Sequence, residues 1–346
     1  MKTSKQEQKR FVNEFFKESR IEAKLGYCVY CNTETTSFCN SHTIPSFILK
    51  NIQDNGLLFN FYHLVKIDFQ KHESGVNEAG TFYLICRDCD AKIFKDYEEE
   101  KFLLKEPSNL IMAEIALKNI LVYWYKRNNE IKLYEKLQEK YPQSNYVDAL
   151  KQKNKINKND IGDIKNDFIR TKKIIEGKKK GEFHLMFWVK CEYIVPLAFQ
   201  GSLALYGDLE GRLINRIYDN DPKVRLQYIN VCVFPLESSS VIMLFYYEPD
   251  KNYKTFERQF NKLDLDEKLR LVSFLIINYS ESFYISKKAS EEIFNNKKVM
   301  RTARNSFELK AETMQEVELM ERAKLSELRN FEDFPNLLSK NMQIIF

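Results

Sequence analysis

Glycine is scarce in this chain, with ten in 346 residues against a usual share of about 7%. Nowhere do those glycines form a GxxxxGK[ST] phosphate loop, a GxGxxG turn or a GxSxG elbow, so nucleotide-driven and serine-hydrolase chemistry lose their sequence basis. Long apolar runs are missing too, and none reaches the roughly 18 residues that a membrane span requires. The opening stretch, MKTSKQEQKRFVNEFFKESR, is charged throughout and has no apolar core of the secretory kind. These absences predict a cytoplasmic protein with no membrane partner. In that compartment paired Cys-x-x-Cys spacings mean metal or redox chemistry more often than structural disulfides. A dominant charge is lacking as well: 54 Lys and Arg stand against 49 Asp and Glu, for a net charge of +5. That balance permits nucleic-acid binding without arguing for it, so local patches must decide.

What is present is length and apolar content. With 346 residues and 44% hydrophobic content, the chain can build two or three domains with sizeable cores. Residues 1–26 read as an N-terminal amphipathic helix, with Phe11, Val12, Phe15, Phe16 and Ile21 on or near one face and expected to pack on the next domain. Residues 27–105 are a cysteine-bearing module rich in polar turns. A helical connector follows over 106–182. It opens with Ser108 as N-cap and a helix apolar around much of its circumference. It continues into a Lys- and Asn-rich segment that reads as a solvated helix or, alternatively, as a phosphate-tracking stripe. Residues 183–286 turn to β texture. They contain a hairpin across Glu237–Ser240 and a helix stripe of Leu265, Leu269, Val272, Ile276 and Tyr279 with an Asp264/Glu267 capping box. Residues 287–346 form a charged helical region, basic at first and then glutamate-rich. The fold class predicted is α+β. Cys191 and Cys232 fall inside β runs and read as core.

The chemistry concentrates in CVYCNTETTSFCNSHTIP, residues 28–45. Cys28-x2-Cys31 is answered, after an insert running from 32 to 85, by Cys86-x2-Cys89. Two such pairs supply four thiolates suited to tetrahedral Zn²⁺, and an all-sulfur set leaves no open coordination position, so the metal expected is structural. A redox dithiol is the main competitor, although one Cys-x-x-Cys would suffice for it. Cys39 or His42 replacing one of the four ligands is a further alternative. His63 and His72 read as solvated loop residues and His184 as a packed or edge residue.

The run NSHTIPSFIL together with the later LICRDCDAKIFKDYE resembles the zinc-bearing branch of the HNH, or ββα-metal, endonucleases over roughly residues 25–98. The resemblance implies a zinc-stabilised ββα module, treble-clef-like, and a hydrolase acting on nucleic-acid phosphodiesters, with DNA the favoured polymer. It implies His42 as general base, Pro45 as the residue ending the first strand, and Cys28, Cys31, Cys86 and Cys89 as structural zinc ligands. Asp90 stands where the family holds its catalytic Mg²⁺ or Mn²⁺, and Lys92 matches the basic residue that follows. Two positions depart from the pattern. Ser41 takes the place of an acidic metal ligand, and Thr81 the place of the Asn that orients the base. At the level of fold analogy, such a module joined to a second domain suggests a bacterial antiviral effector, with the C-terminal domain supplying recognition or a protein contact. The alternative is a catalytically degenerate zinc module that binds nucleic acid or protein. A weaker reading is a small-ligand sensor domain stabilised by the module.

Overall fold

Helix α1 (Lys5–Glu22) follows the predicted amphipathic stretch. In the computed structural model, which describes residues 5–60, 72–143, 147–180, 182–217, 221, 223–280, 282–305 and 322–345, Phe15 of this helix is buried. Glu18 and Glu22, one helical turn apart, both receive the Lys136 ammonium, at 2.9 and 2.8 Å. Ile21, expected on the apolar face, is instead 56% exposed. It lies about 100° around the helix from Glu22 and so points away from that contact.

The next segment runs β1 (Ser41–His42), α2 (Ser46–Lys50), β2 (Leu57–Asn60), β3 (His72–Gly75), β4 (Thr81–Phe82), α3 (Arg87–Ile93) and α4 (Glu100–Leu103). Strand β1 ends at His42, before the expected end at Pro45, which instead occupies the N-cap position of α2, where its missing N–H leaves no helix bond unmade. Strands β1 and β4 pair antiparallel, with Ser41 opposite Phe82 and His42 opposite Thr81, and α3 starts five residues later. His63 and the His72 side chain lie outside the described residues.

Two long helices come next, α5 (Asn109–Lys140) and α6 (Val147–Ile175). The Ser108 hydroxyl caps α5 by accepting the Ile111 N–H at 3.3 Å. Every residue from Ile111 to Asn119 is buried, as its all-round apolar sequence predicts. Helix α6 packs along α5, with Phe168 edge-on to Trp124 at 5.5 Å between ring centroids. Several of its lysines meet carboxylates, Lys158 with Glu135 at 3.2 Å and Lys151 with Asp148 at 3.3 Å.

Strands β5 (Phe183–Cys191), β6 (Leu197–Leu203), β7 (Ile229–Pro235) and β8 (Ser240–Tyr247) are followed by α7 (Tyr253–Asn261), α8 (Leu265–Tyr279), β9 (Tyr284–Ile285), α9 (Lys287–Asn295) and α10 (Lys297–Asn305). One seven-stranded sheet takes the order β3-β2-β9-β6-β7-β8-β5, with every neighbouring pair antiparallel. It therefore draws strands from both residues 57–75 and residues 183–285. All residues of β7 and β8 are buried, which requires cover on both faces. Side chains alternate along β6 and β7: Gln200 and Asn230 bond to Asn119 of α5, while Phe187 of β5 meets Phe260 of α7 with ring centroids 5.3 Å apart.

The predicted hairpin is β7–β8, closed by Leu236 N–H bonding to the Ser239 carbonyl. The Asp264/Glu267 capping box is formed in both directions, and Cys191 and Cys232 are in the core. Leu265, expected on the buried stripe of α8, is half exposed because it occupies the first turn, while the helix is buried from Leu271 to Asn278. The described residues form a mixed helix-and-sheet fold consistent with the α+β class. Among the described residues no helix is long and apolar enough to cross a membrane. Residues 306–321, most of the glutamate-rich stretch, lie outside the described residues.

Candidate metal centre and the histidine beside it

The first cysteine pair sits on a tight turn. Asn32 takes φ 59, a left-handed conformation that Asn tolerates better than most residues. Its N–H bonds to the Cys28 carbonyl at 2.8 Å, and Cys28 N–H bonds to the Thr33 carbonyl at 2.9 Å. Cys86 is the N-cap of α3 and Cys89 lies in its first turn, so both sulfurs meet the positive end of that helix. Backbone bonds from Val29 to Leu84 and from Cys39 to Ile85, at 3.0 and 2.8 Å, join this region to the segment between β4 and α3.

Together these elements bring the four sulfurs within 4.8 Å of one another, with Cys31 Sγ and Cys86 Sγ 4.0 Å apart. Zinc–sulfur bonds of about 2.3 Å in a tetrahedron set sulfurs about 3.8 Å apart, so the donor set fits a metal ion such as zinc. The Cys86 N–H also donates to Cys28 Sγ at 3.3 Å, which is how a backbone amide shares the charge of a metal-bound thiolate. Convergence of all four sulfurs disfavours the two-thiol redox reading, and the set contains neither Cys39 nor His42. Burial pushes the Cys28 and Cys89 thiols up, whereas hydrogen bonds from Thr33 bring Cys31 down to about 6.

Beside the cysteines, β1 and α3 bring Ser41 and Asp90 together. The Ser41 hydroxyl donates to Asp90 Oδ1 at 2.5 Å, and the Cys39 thiol donates to Asp90 Oδ2 at 3.4 Å. The departure at Ser41 is thus structural: a hydroxyl that donates to the carboxylate, where two carboxylates would repel. His42, on the same strand, is partly buried and its ring bonds to the backbone of Val76. That bond favours the protonated ring, so the ring N–H donates to the Val76 carbonyl. The other nitrogen, Nε2, is buried and has no hydrogen-bond partner among the described residues. Burial nevertheless holds the histidine below its ordinary pKa; Lys118 acts in the same direction, opposed by Glu98 and Asp90. The imidazole is neutral at pH 7, with a lone pair free on Nε2.

Thr81 lies directly across from His42, on the same face of the two-stranded pair. The orienting bond comes from Val76 instead. Lys92 is exposed on the last turn of α3, away from the buried groups. The cation that reaches Asp90 is Lys118 of α5, whose Nζ lies 3.8 Å from Asp90 Oδ1 and 2.7 Å from Glu98 Oε1. Its ammonium also stands 4.0 Å from the centre of the Phe94 ring and 5.6 Å from that of Tyr97. Val76, Glu98 and Lys118 are the site residues that sequence reasoning missed. The one available signal was a lysine inside the apolar run IMAEIALKNILVYW.

No protein-family model, no curated protein and no solved structure matches the chain. What stands on the residues themselves is a four-cysteine cluster able to hold a metal ion, beside a histidine–aspartate–lysine group.

Proposed function

We propose that the chain is a zinc-stabilised, HNH-like phosphodiester hydrolase acting on nucleic acid, with His42 as general base. The observation that supports this most is the state of His42. One ring nitrogen faces the Val76 backbone while Nε2 carries an unused lone pair, which suits it to take a proton from an attacking water once substrate binding opens the buried position to one. Cys28, Cys31, Cys86 and Cys89 would hold Zn²⁺, which keeps the cysteine turn and α3 in register and therefore sets β1 against α3. The Val76 backbone orients the base, the part that the resemblance gives to an Asn at position 81. DNA remains the favoured substrate.

The Mg²⁺ or Mn²⁺ that the resemblance implies at Asp90 does not fit this donor set. Both Asp90 oxygens are engaged by Ser41 and Cys39, and an ammonium stands beside one of them. Among the described residues only the four cysteines form a metal-binding group of three or more. The second reading, a zinc module that binds nucleic acid or protein without cleaving, is favoured by that same neutralised carboxylate.

The deciding experiment incubates the zinc-loaded chain with plasmid and single-stranded substrates, with and without added Mg²⁺ or Mn²⁺, wild type beside His42→Ala. Loss of a general base lowers the rate by about 10²–10⁴-fold. Cleavage that survives the substitution removes His42 from the chemistry. Salt-sensitive retention of DNA without cleavage under any condition establishes the binding module instead.

A further inference from the structure

Lys118 is one of the largest fully buried side chains in the protein, with 1% of its side chain exposed. It grows from the most deeply buried stretch of α5, between Leu117 and Asn119. An ammonium is costly to bury unless it is paired and hydrogen-bonded. Here the pairing is complete: Glu98 at 2.7 Å, Asp90 at 3.8 Å and the Phe94 ring face at 4.0 Å. The two carboxylates come from separate places, Asp90 from α3 and Glu98 from the segment ahead of α4. They converge on one positive charge, as they would on a metal ion.

We propose that Lys118 is a built-in cation that occupies the Asp90–Glu98 pair and keeps it closed to divalent metal. The sequence points the same way: Ser41 donates a hydrogen bond to Asp90 and supplies no second anionic ligand. Lys118 is then a positioning residue. It fixes Asp90 against β1 and supplies the charge that a divalent ion would otherwise bring. The inference deepens the His42 reading, but its readout is metal binding and does not depend on cleavage.

The test is Mn²⁺ titration of the zinc-loaded chain followed by electron paramagnetic resonance, comparing wild type, Asp90→Asn, Lys118→Met and Lys118→Met/Asp90→Asn. Wild type and Asp90→Asn are expected to bind the same background of Mn²⁺. Lys118→Met is expected to gain one further Mn²⁺ per chain, lost again in the double variant. One stoichiometric Mn²⁺ in wild type that Asp90→Asn removes would overturn the proposal. So would a folded, zinc-retaining Lys118→Met that gains none. If Lys118→Met does not fold, the wild-type and Asp90→Asn pair still decides. A chain that cleaves nothing but excludes Mn²⁺ until Lys118 is removed sinks the hydrolase reading and leaves this one standing.

Discussion

Glu114 lies inside α5, one turn before Lys118, with 3% of its surface exposed. Its Oε2 accepts the Tyr97 N–H at 3.0 Å. Burial raises its pKa from an ordinary 4.5 to about 7; the Tyr97 amide and Lys118 oppose this, while Asp96 and Glu98 add to it. A group whose folded-state pKa is raised binds more protons when folded than when unfolded. Stability therefore falls as pH climbs from about 4.5 through about 7 and then levels off. A rise of that size corresponds to about 3 kcal/mol at pH 8. Glu114→Gln keeps the acceptor for Tyr97 and removes the charge. With about 2.1 cal/mol/K of unfolding entropy per residue over 346 residues, the variant should melt about 4 °C higher relative to wild type at pH 8 than it does at pH 5. The assay is thermal unfolding by circular dichroism at both pH values. A Tm difference that is the same at pH 5 and pH 8 would show that Glu114 ionises as readily in the fold as in the unfolded chain and would refute the reasoning.

Two further outcomes test the frame around the site. The chain should purify with one zinc per molecule, measured by elemental analysis, and Cys28→Ser should lose it; chelation should release the Val29 and Cys39 amides, both bonded to the segment between β4 and α3, to rapid hydrogen exchange. Gly80 holds φ +59, and a Cβ there would overlap the Tyr284 hydroxyl and meet Thr43 Oγ1 at 2.5 Å. Gly80→Ala should therefore cost about 2–4 kcal/mol in urea unfolding, and adding Tyr284→Phe should recover part of it; no recovery would place the cost in the backbone and the Thr43 contact.

The parts that could be read from sequence are those governed by local rules. Two cysteine pairs announce a shared ion because each pair needs only one turn to present both sulfurs. Asp264 and Glu267 announce a helix start, and the runs on either side of Glu237–Ser240 announce a hairpin, because their partners lie within a few residues. Ser41 and Asp90 were both legible as positions facing the same place, yet the sequence suggested a missing ligand where the structure shows a hydrogen bond. Lys118 and Glu98 stayed hidden because pairing between a core helix and a distant turn follows no local period. Val76 was hidden more completely, since it contributes only its backbone to His42, and a carbonyl looks the same on every residue. Strands β2 and β9, four and two residues long, are too short to show alternation and exist because the sheet has an edge for them.

That edge sets a timetable for synthesis. Phe59 pairs with Ile285, so the ribosome must add more than two hundred residues before the earlier strand meets its partner. At about 5–20 residues per second, its unpaired backbone waits on the order of ten seconds or more, ready to pair with any other exposed strand. Nascent chains crowded on one message would be the first place for this protein to aggregate.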